Sequence, residues 1–210
     1  MESPARQKKM KKFKLTYDWP IEKGRYLTGN PFSPVAVVII LVTPQDKIPW
    51  EIEELVRAGV EKGAAISGTL QTANIGIEKL IVNLISNPNV RYLLLFGSES
   101  GHFTADALKA LFRNGMDEKG YIINTKAPTA ILKNIPKDAV ERLRKQIQLV
   151  DLSGISGMDV LEKAVWSCYQ EKETLFEIEG RKYLLYDNGP FPEEPIIYRL
   201  TDKLREKQDG

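Results

Sequence analysis

Eight consecutive apolar residues, Val35-Ala-Val-Val-Ile-Ile-Leu-Val42, lie between Pro34 and Pro44, and nothing else in the chain narrows its fold as far. A strand with one wet face alternates apolar and polar side chains, whereas an unbroken β-branched run needs cover on both faces. Helices above and below a parallel sheet supply that cover. The run is far shorter than the roughly 18 apolar residues of a membrane span, and no other stretch of the sequence reaches that length.

The rest of the chain repeats the unit. Pro49-Trp-Glu-Ile-Glu-Glu opens a predicted helix with Ile52, Leu55, Val56 and Val60 on one face and acids in its first turn. Ala64–Ser67 is a short predicted strand, the loop Gly68–Asn74 follows, and a helix carries Ile77, Leu80, Ile81, Leu84 and Ile85. Val90–Phe96 reads as a central strand, left through Gly97 into a polar loop and a helix from about Thr104 with Leu108, Leu111 and Phe112 buried. Tyr121–Ile123 and Gln146–Asp151 are further strand candidates, with helices from about Pro136 and from about Gly157 to Gln170. This alternation predicts an α/β fold: a Rossmann-like, doubly wound, mostly parallel sheet.

Residues 1–12, with Lys8, Lys9, Lys11 and Lys12, read as a disordered basic tail, and Phe13–Pro34 as an irregular lead-in. The Rossmann-like domain is expected over 13–173. Residues 174–210 are expected to form a small C-terminal β appendage, a predicted hairpin turning at Glu179-Gly180 and then a charged tail. With 30 basic against 28 acidic residues there is no net field that calls for nucleic acid, so no nucleic-acid partner is expected. Cys168 is the single cysteine, so no internal disulfide forms, and without a transmembrane segment or signal peptide a cytoplasmic location is expected.

Open α/β sheets bind ligands beyond the carboxyl ends of their strands. Three loops fall there: Gly68–Asn74, Gly97–Thr104 and Asn124–Ala130. The second holds His102, the only histidine, with Gly101 before it to admit a bulky partner. A lone loop histidine is more often a solvated side chain with no task. Glu99 and Asp106 have the reach to orient the imidazole through its second nitrogen, although acids at helix starts are more often caps. One histidine cannot assemble a His-rich zinc site. Ser98, Ser100 and Cys168 are weak nucleophile candidates, because the loop is not a nucleophile elbow and Cys168 sits on an apolar helix face. No Walker-type loop or Gly-x-Gly-x-x-Gly follows any predicted strand.

Several segments, in order and at matching spacing, resemble the corrinoid-bearing A-type subunit of tetrahydromethanopterin S-methyltransferase. They are Asp18-Trp-Pro, Gly29-Asn-Pro-Phe-Ser-Pro-Val-Ala-Val37, Thr72-Ala-Asn-Ile-Gly-Ile-Glu-Lys79 and Asn83-Leu-Ile-Ser-Asn-Pro-Asn-Val-Arg91. Gly101-His-Phe-Thr104, Lys109-Ala-Leu111, Asn134-Ile-Pro136 and Gln148-Leu-Val-Asp-Leu152 continue the likeness, which covers roughly Tyr17 to Leu152.

The resemblance implies a Rossmann-like domain holding a cobamide, a cobalamin-type corrinoid, with His102 as the lower axial ligand to cobalt. The cofactor-binding residues it implies are Gly68, Thr69, Leu70, Gln71, Thr72 and Asn74 in the first loop. From the second come Gly97, Ser98, Glu99, Gly101, His102, Phe103 and Thr104, and from the third Thr125, Lys126, Ala127, Pro128 and Thr129. It implies methyl transfer from methyl-tetrahydromethanopterin to coenzyme M, with methyl-donor and methyl-acceptor proteins or substrates as partners. The chain departs from other corrinoid domains in lacking Asp-x-His-x-x-Gly, since Ser100 and Ala105 flank the histidine. The family protein ends in a membrane-spanning helix where this chain has the predicted hairpin, so a stand-alone homologue is expected. Lys126 and Pro128 add charge and bulk to the third loop, which keeps a second reading open: a non-corrinoid binding or regulatory module on the same fold.

Overall fold

Every residue of β2 (Val35–Ile40) is buried, and the helices around it explain why. Val35, Val37 and Ile39 point to one face, where they pack with Val56, Leu161 and Val165. Ala36, Val38 and Ile40 point to the other, among Ile77, Ile81, Leu108, Leu111, Val140 and Leu143. The computed structural model describes residues 12–42, 48–171 and 175–176. The helices are α1 (Trp50–Glu61), α2 (Ile75–Ile85), α3 (Thr104–Asn114), α4 (Lys137–Gln146) and α5 (Met158–Gln170). Helices α1 and α5 cover the first face, and α2, α3 and α4 cover the second. Each fully buried Ile or Leu on these stripes contributes about 1.5–3 kcal/mol.

The other strands are β1 (Tyr26–Thr28), β3 (Ile66–Leu70), β4 (Tyr92–Gly97) and β5 (Gln148–Ser153), in the order β1-β3-β2-β4-β5. All pairs are parallel except β1 with β3 at the edge. The chain leaves β2 over one face through α1 to β3, then crosses β2 on the opposite face through α2 to reach β4. Adjacent strands β2 and β4 therefore send their following helices to opposite faces, which opens a crevice at their carboxyl ends. The fold is Rossmann-like α/β with a mostly parallel sheet, as the periodicity predicts.

Three local readings change. Gly68, Thr69 and Leu70 belong to strand β3, paired with Val38, Ile39 and Ile40, and not to a loop. Gly68 is there for close approach: a Cβ on it would lie 2.5 Å from the Arg25 carbonyl oxygen and 2.7 Å from Tyr26 Cβ. Tyr121–Ile123 makes only isolated bridges, Met116 with Ile122 and Tyr121 with Ile131, because its own short loop returns on it before a sheet strand can form. The lead-in is not irregular throughout. It contains β1 and is pinned to the end of α2 by Trp19 Nε1 donating to the Asn83 carbonyl (2.8 Å) and Glu22 N donating to Asn83 Oδ1 (2.7 Å). Asn89 pins Phe13 in the same manner, accepting from its N–H and donating to its carbonyl at 2.8 Å each.

The expected basic tail, apart from Lys12, lies outside the described residues. So does the predicted hairpin except Leu175 and Phe176, of which the Phe176 N–H donates to the Pro88 carbonyl at 2.8 Å. Arg91 and Arg142 stack on the Phe176 ring at 5.6 and 5.3 Å. Among the described residues no helix is long and apolar enough to cross a membrane.

Candidate functional site

The crevice beside β2 is bounded by the loop from Gly97 to Phe103, and that loop is held in shape by its own polar groups. Gly97 leaves β4 with φ +99° and lies so near Ile40 that a Cβ would sit 3.3 Å from its backbone nitrogen. The Gly97 carbonyl accepts from Gly154 N at 3.0 Å, fastening the loop to the end of β5. Ser100, almost fully buried, donates from Oγ to Thr104 Oγ1 (3.0 Å) and accepts from Thr104 N (3.1 Å). Thr104 Oγ1 in turn donates to the Gln71 carbonyl at 3.1 Å. Phe103, the residue before α3, adopts a left-handed φ of 56°, a conformation that costs a non-glycine residue about 1–3 kcal/mol. Its ring stays partly exposed.

Glu99 does not orient the imidazole. Its Oε1 accepts from Ser100 N (2.8 Å) and Ala105 N (2.9 Å), and its Oε2 accepts from Asp106 N (2.8 Å). It is the cap of α3, replacing the side-chain cap that Phe103 does not supply. Asp106 is likewise committed elsewhere, since its Oδ2 accepts from Thr125 Oγ1 (2.9 Å) and Lys126 N (2.7 Å). Among the described residues the His102 side chain makes no hydrogen bond. It is exposed, and Gly101 beside it faces open space, with no atom within 4 Å of an added Cβ.

The three loops meet around the start of α3. Thr104 bonds the first through Gln71, and Asp106 bonds the third through Thr125 and Lys126. In the first loop, Thr72 Oγ1 accepts from Gly76 N (2.9 Å) and Asn74 Oδ1 from Ile75 N (2.8 Å), so both start α2; Thr69 and Leu70 are sheet residues with Leu70 buried. In the third, Ala127 is buried and its N–H donates to Thr125 Oγ1 at 3.1 Å, whereas Lys126, Pro128 and Thr129 are exposed. Ser98 is exposed and Thr104 buried.

Two features of this edge escape a reading of the sequence. Lys109 Nζ donates to Ser153 Oγ (3.0 Å) and lies 3.6 Å from Asp151 Oδ2, beside the end of β4. Burial pushes the Asp151 carboxyl up, but the Ser153 hydrogen bonds and the Lys109 charge outweigh it and leave it below the ordinary carboxylate value. Val42, just after β2, Ile155, after β5, and Trp50 and Met158, which start α1 and α5, are exposed apolar side chains. Their residue types read as core, and only the three-dimensional placement marks them as surface. Cys168 is at the other end of the molecule, in the last turn of α5, and burial first and then Glu171 push its thiol up, away from the thiolate a nucleophile needs.

The MtrA family model, which describes the A-type subunit of tetrahydromethanopterin S-methyltransferase, matches residues 11–207. Methanothermobacter marburgensis has two such proteins among the relatives. Its second MtrA protein is 37% identical over 203 residues, covering 96% of this chain and 96% of the relative. Its first is 40% identical over 192 residues, 90% of this chain and 70% of the relative. The MtrA protein of Methanocaldococcus jannaschii is 37% identical over 195 residues, 89% and 75% of the two chains. This chain belongs to the MtrA family of tetrahydromethanopterin S-methyltransferase subunits.

Proposed function

We propose that this chain is a methyltransferase component that holds a corrinoid, whose cobalt the His102 imidazole would hold through a ring nitrogen. The observation that carries the reading is an exposed imidazole with no hydrogen bond, in the loop after β4 at the carboxyl end of the sheet, the end at which open α/β folds bind ligands. The donor set fits. Among the described residues no three His, Cys, Asp or Glu side chains come together to hold a bare ion, but a cobalt that arrives with four macrocycle nitrogens needs a single protein donor, and imidazole is a good one.

When bound, a corrinoid supplies the metal that takes up and releases the methyl group. The chain's own residues do the rest. Glu99, Ser100 and Thr104 hold the loop rigid so that His102 is presented without reorganisation. Gly101 leaves open space beside His102, and Gln71, Thr72, Lys126, Pro128 and Thr129 of the first and third loops would border a bound corrinoid. Tetrahydromethanopterin, part of the relatives' names, supplies the methyl donor class, and coenzyme M the acceptor by resemblance.

The rival is a binding module without corrinoid, favoured by the charge and bulk that the exposed Lys126 and Pro128 would set against a corrin edge. Incubation with hydroxocobalamin followed by desalting separates the two: the visible spectrum of the protein fraction shows retained corrinoid, and its absence sinks the first reading. With a corrinoid that lacks its own nucleotide base, the Co(II) form shows nitrogen coupling in electron paramagnetic resonance, and His102→Ala abolishes it while folding is unchanged. Coupling that survives in the variant rules out His102 as the ligand.

A further inference from the structure

A cleft of about 160 Å³ opens between α2, the sheet and the stretch Gly24–Tyr26. It lies on the β3 side of β2, where the crevice that holds His102 is bounded by β4. Its floor is apolar, formed by Ala36, Val38 and Leu93, with Leu70 and Leu80 on the walls. That volume is on the order of the ~150 Å³ that accepts a benzene-sized ring. The lining carries two cations, Arg25 and Lys79, and among the described residues no acidic one. Tyr26 forms part of the wall as a neutral phenol, held so by burial and then by Glu22, which lies behind it outside the lining.

The backbone donors at the start of α2 do not supply the positive character, because Ile75 N and Gly76 N already donate to Asn74 and Thr72. The two side chains do. An apolar slot of about one ring's volume, with two cations in its lining, matches one class of ligand. We propose that this cleft is a second ligand site, taking a small molecule with a flat apolar body and a phosphate or carboxylate at one end. Arg25 and Lys79 each have an interaction within the protein, so a ligand shares them and binds with modest affinity. The rim is coupled to the His102 loop through Gln71, whose carbonyl accepts from Thr104 Oγ1, so an occupant lies beside that loop without entering its crevice.

The test uses the full chain, labelled with ¹⁵N, and phenyl phosphate as probe. Saturable amide shifts are expected at Thr69, Gln71, Thr72, Gly76 and Lys79, with inorganic phosphate at least about tenfold weaker and benzylamine without effect. Lys79→Gln weakens phenyl phosphate about three- to tenfold, and Lys163→Gln on exposed α5 leaves it unchanged. No saturable shift at concentrations of about 10 mM, or equal shifts with benzylamine, overturns the proposal. Saturating hydroxocobalamin is expected to leave the probe bound. Displacement of the probe assigns the cleft to the corrinoid and also overturns it. A chain that binds phenyl phosphate but retains no corrinoid sinks the proposed function and supports the cleft.

Discussion

Replacing Glu99 with alanine tests what holds the His102 loop in shape. Helix α3 begins after Phe103, which offers no capping oxygen, and the Glu99 carboxylate takes three backbone N–H groups at 2.8, 2.9 and 2.8 Å instead. Loss of a helix cap costs about 1 kcal/mol, and loss of an anion at a helix N-terminus adds about 0.3–1 kcal/mol. Glu99 is exposed, so water replaces part of what is lost, and the expected cost is about 1–2 kcal/mol. For a chain of this size that is a fall in melting temperature of roughly 2–8 °C. The amides of Ser100, Ala105 and Asp106 should exchange with deuterium about 5- to 30-fold faster. Glu99→Gln keeps one acceptor oxygen and should lose about half as much. Unchanged melting together with unchanged exchange at those three amides would falsify the capping role and return the carboxylate to the imidazole as an orienting group.

Other expectations follow from the same contacts. Glu78, 1% exposed, accepts from Asn134 N and Nδ2 at 2.9 Å each; Glu78→Ala should cost about 2–4 kcal/mol in urea unfolding, with Glu78→Gln milder, and a loss under about 1 kcal/mol contradicts it. The Tyr26 phenol is pushed up to about 12 by burial and then Glu22, so the folded state binds its proton more tightly than the unfolded chain. That stability is full below about pH 10 and lost as pH rises toward the folded value, and Tyr26→Phe should flatten this alkaline decline in the urea midpoint. Gly97→Ala forces a side chain into φ +99° against the Ile40 backbone and should destabilise by about 1–3 kcal/mol, read by calorimetry.

The periodic segments were legible because burial dictates their pattern. The β-branched run at Val35 needs two covering layers, and the apolar stripes of α1, α2 and α3 announce those helices within a few residues of where they lie. The errors share a cause. Gly68 looks like a loop residue by type, yet it lies in β3 between β2 and β1, and it is a glycine because β1 runs beside it too close for a Cβ. β1 is three residues long with no alternation to read, and what fixes it is remote: it pairs with β3 some forty residues on, and the chain before it is held by Asn83 and Asn89. The acids of the His102 loop were ambiguous for a related reason: sequence places Glu99 near both the helix and the imidazole, and only the direction of its oxygens decides between them.

Most of the polar residues that carry the family resemblance turn out to have folding tasks. Asn74 and Thr72 start α2, Glu78 holds Asn134, Asn83 holds Trp19 and Glu22, Asn89 holds Phe13, and Thr104 ties two loops together. A chain keeping these residues keeps the scaffold whatever its crevice binds, so they speak for ancestry and not for a cofactor. His102 differs in kind. The loop around it is rigid because its hydroxyls, its carboxylate and its backbone bond to one another, and the imidazole is the group this arrangement leaves out. Folding gives no reason for an imidazole at that point, since a serine or lysine there would be equally solvated. The corrinoid reading therefore depends on one side chain, and replacing that side chain separates cofactor loss from fold loss.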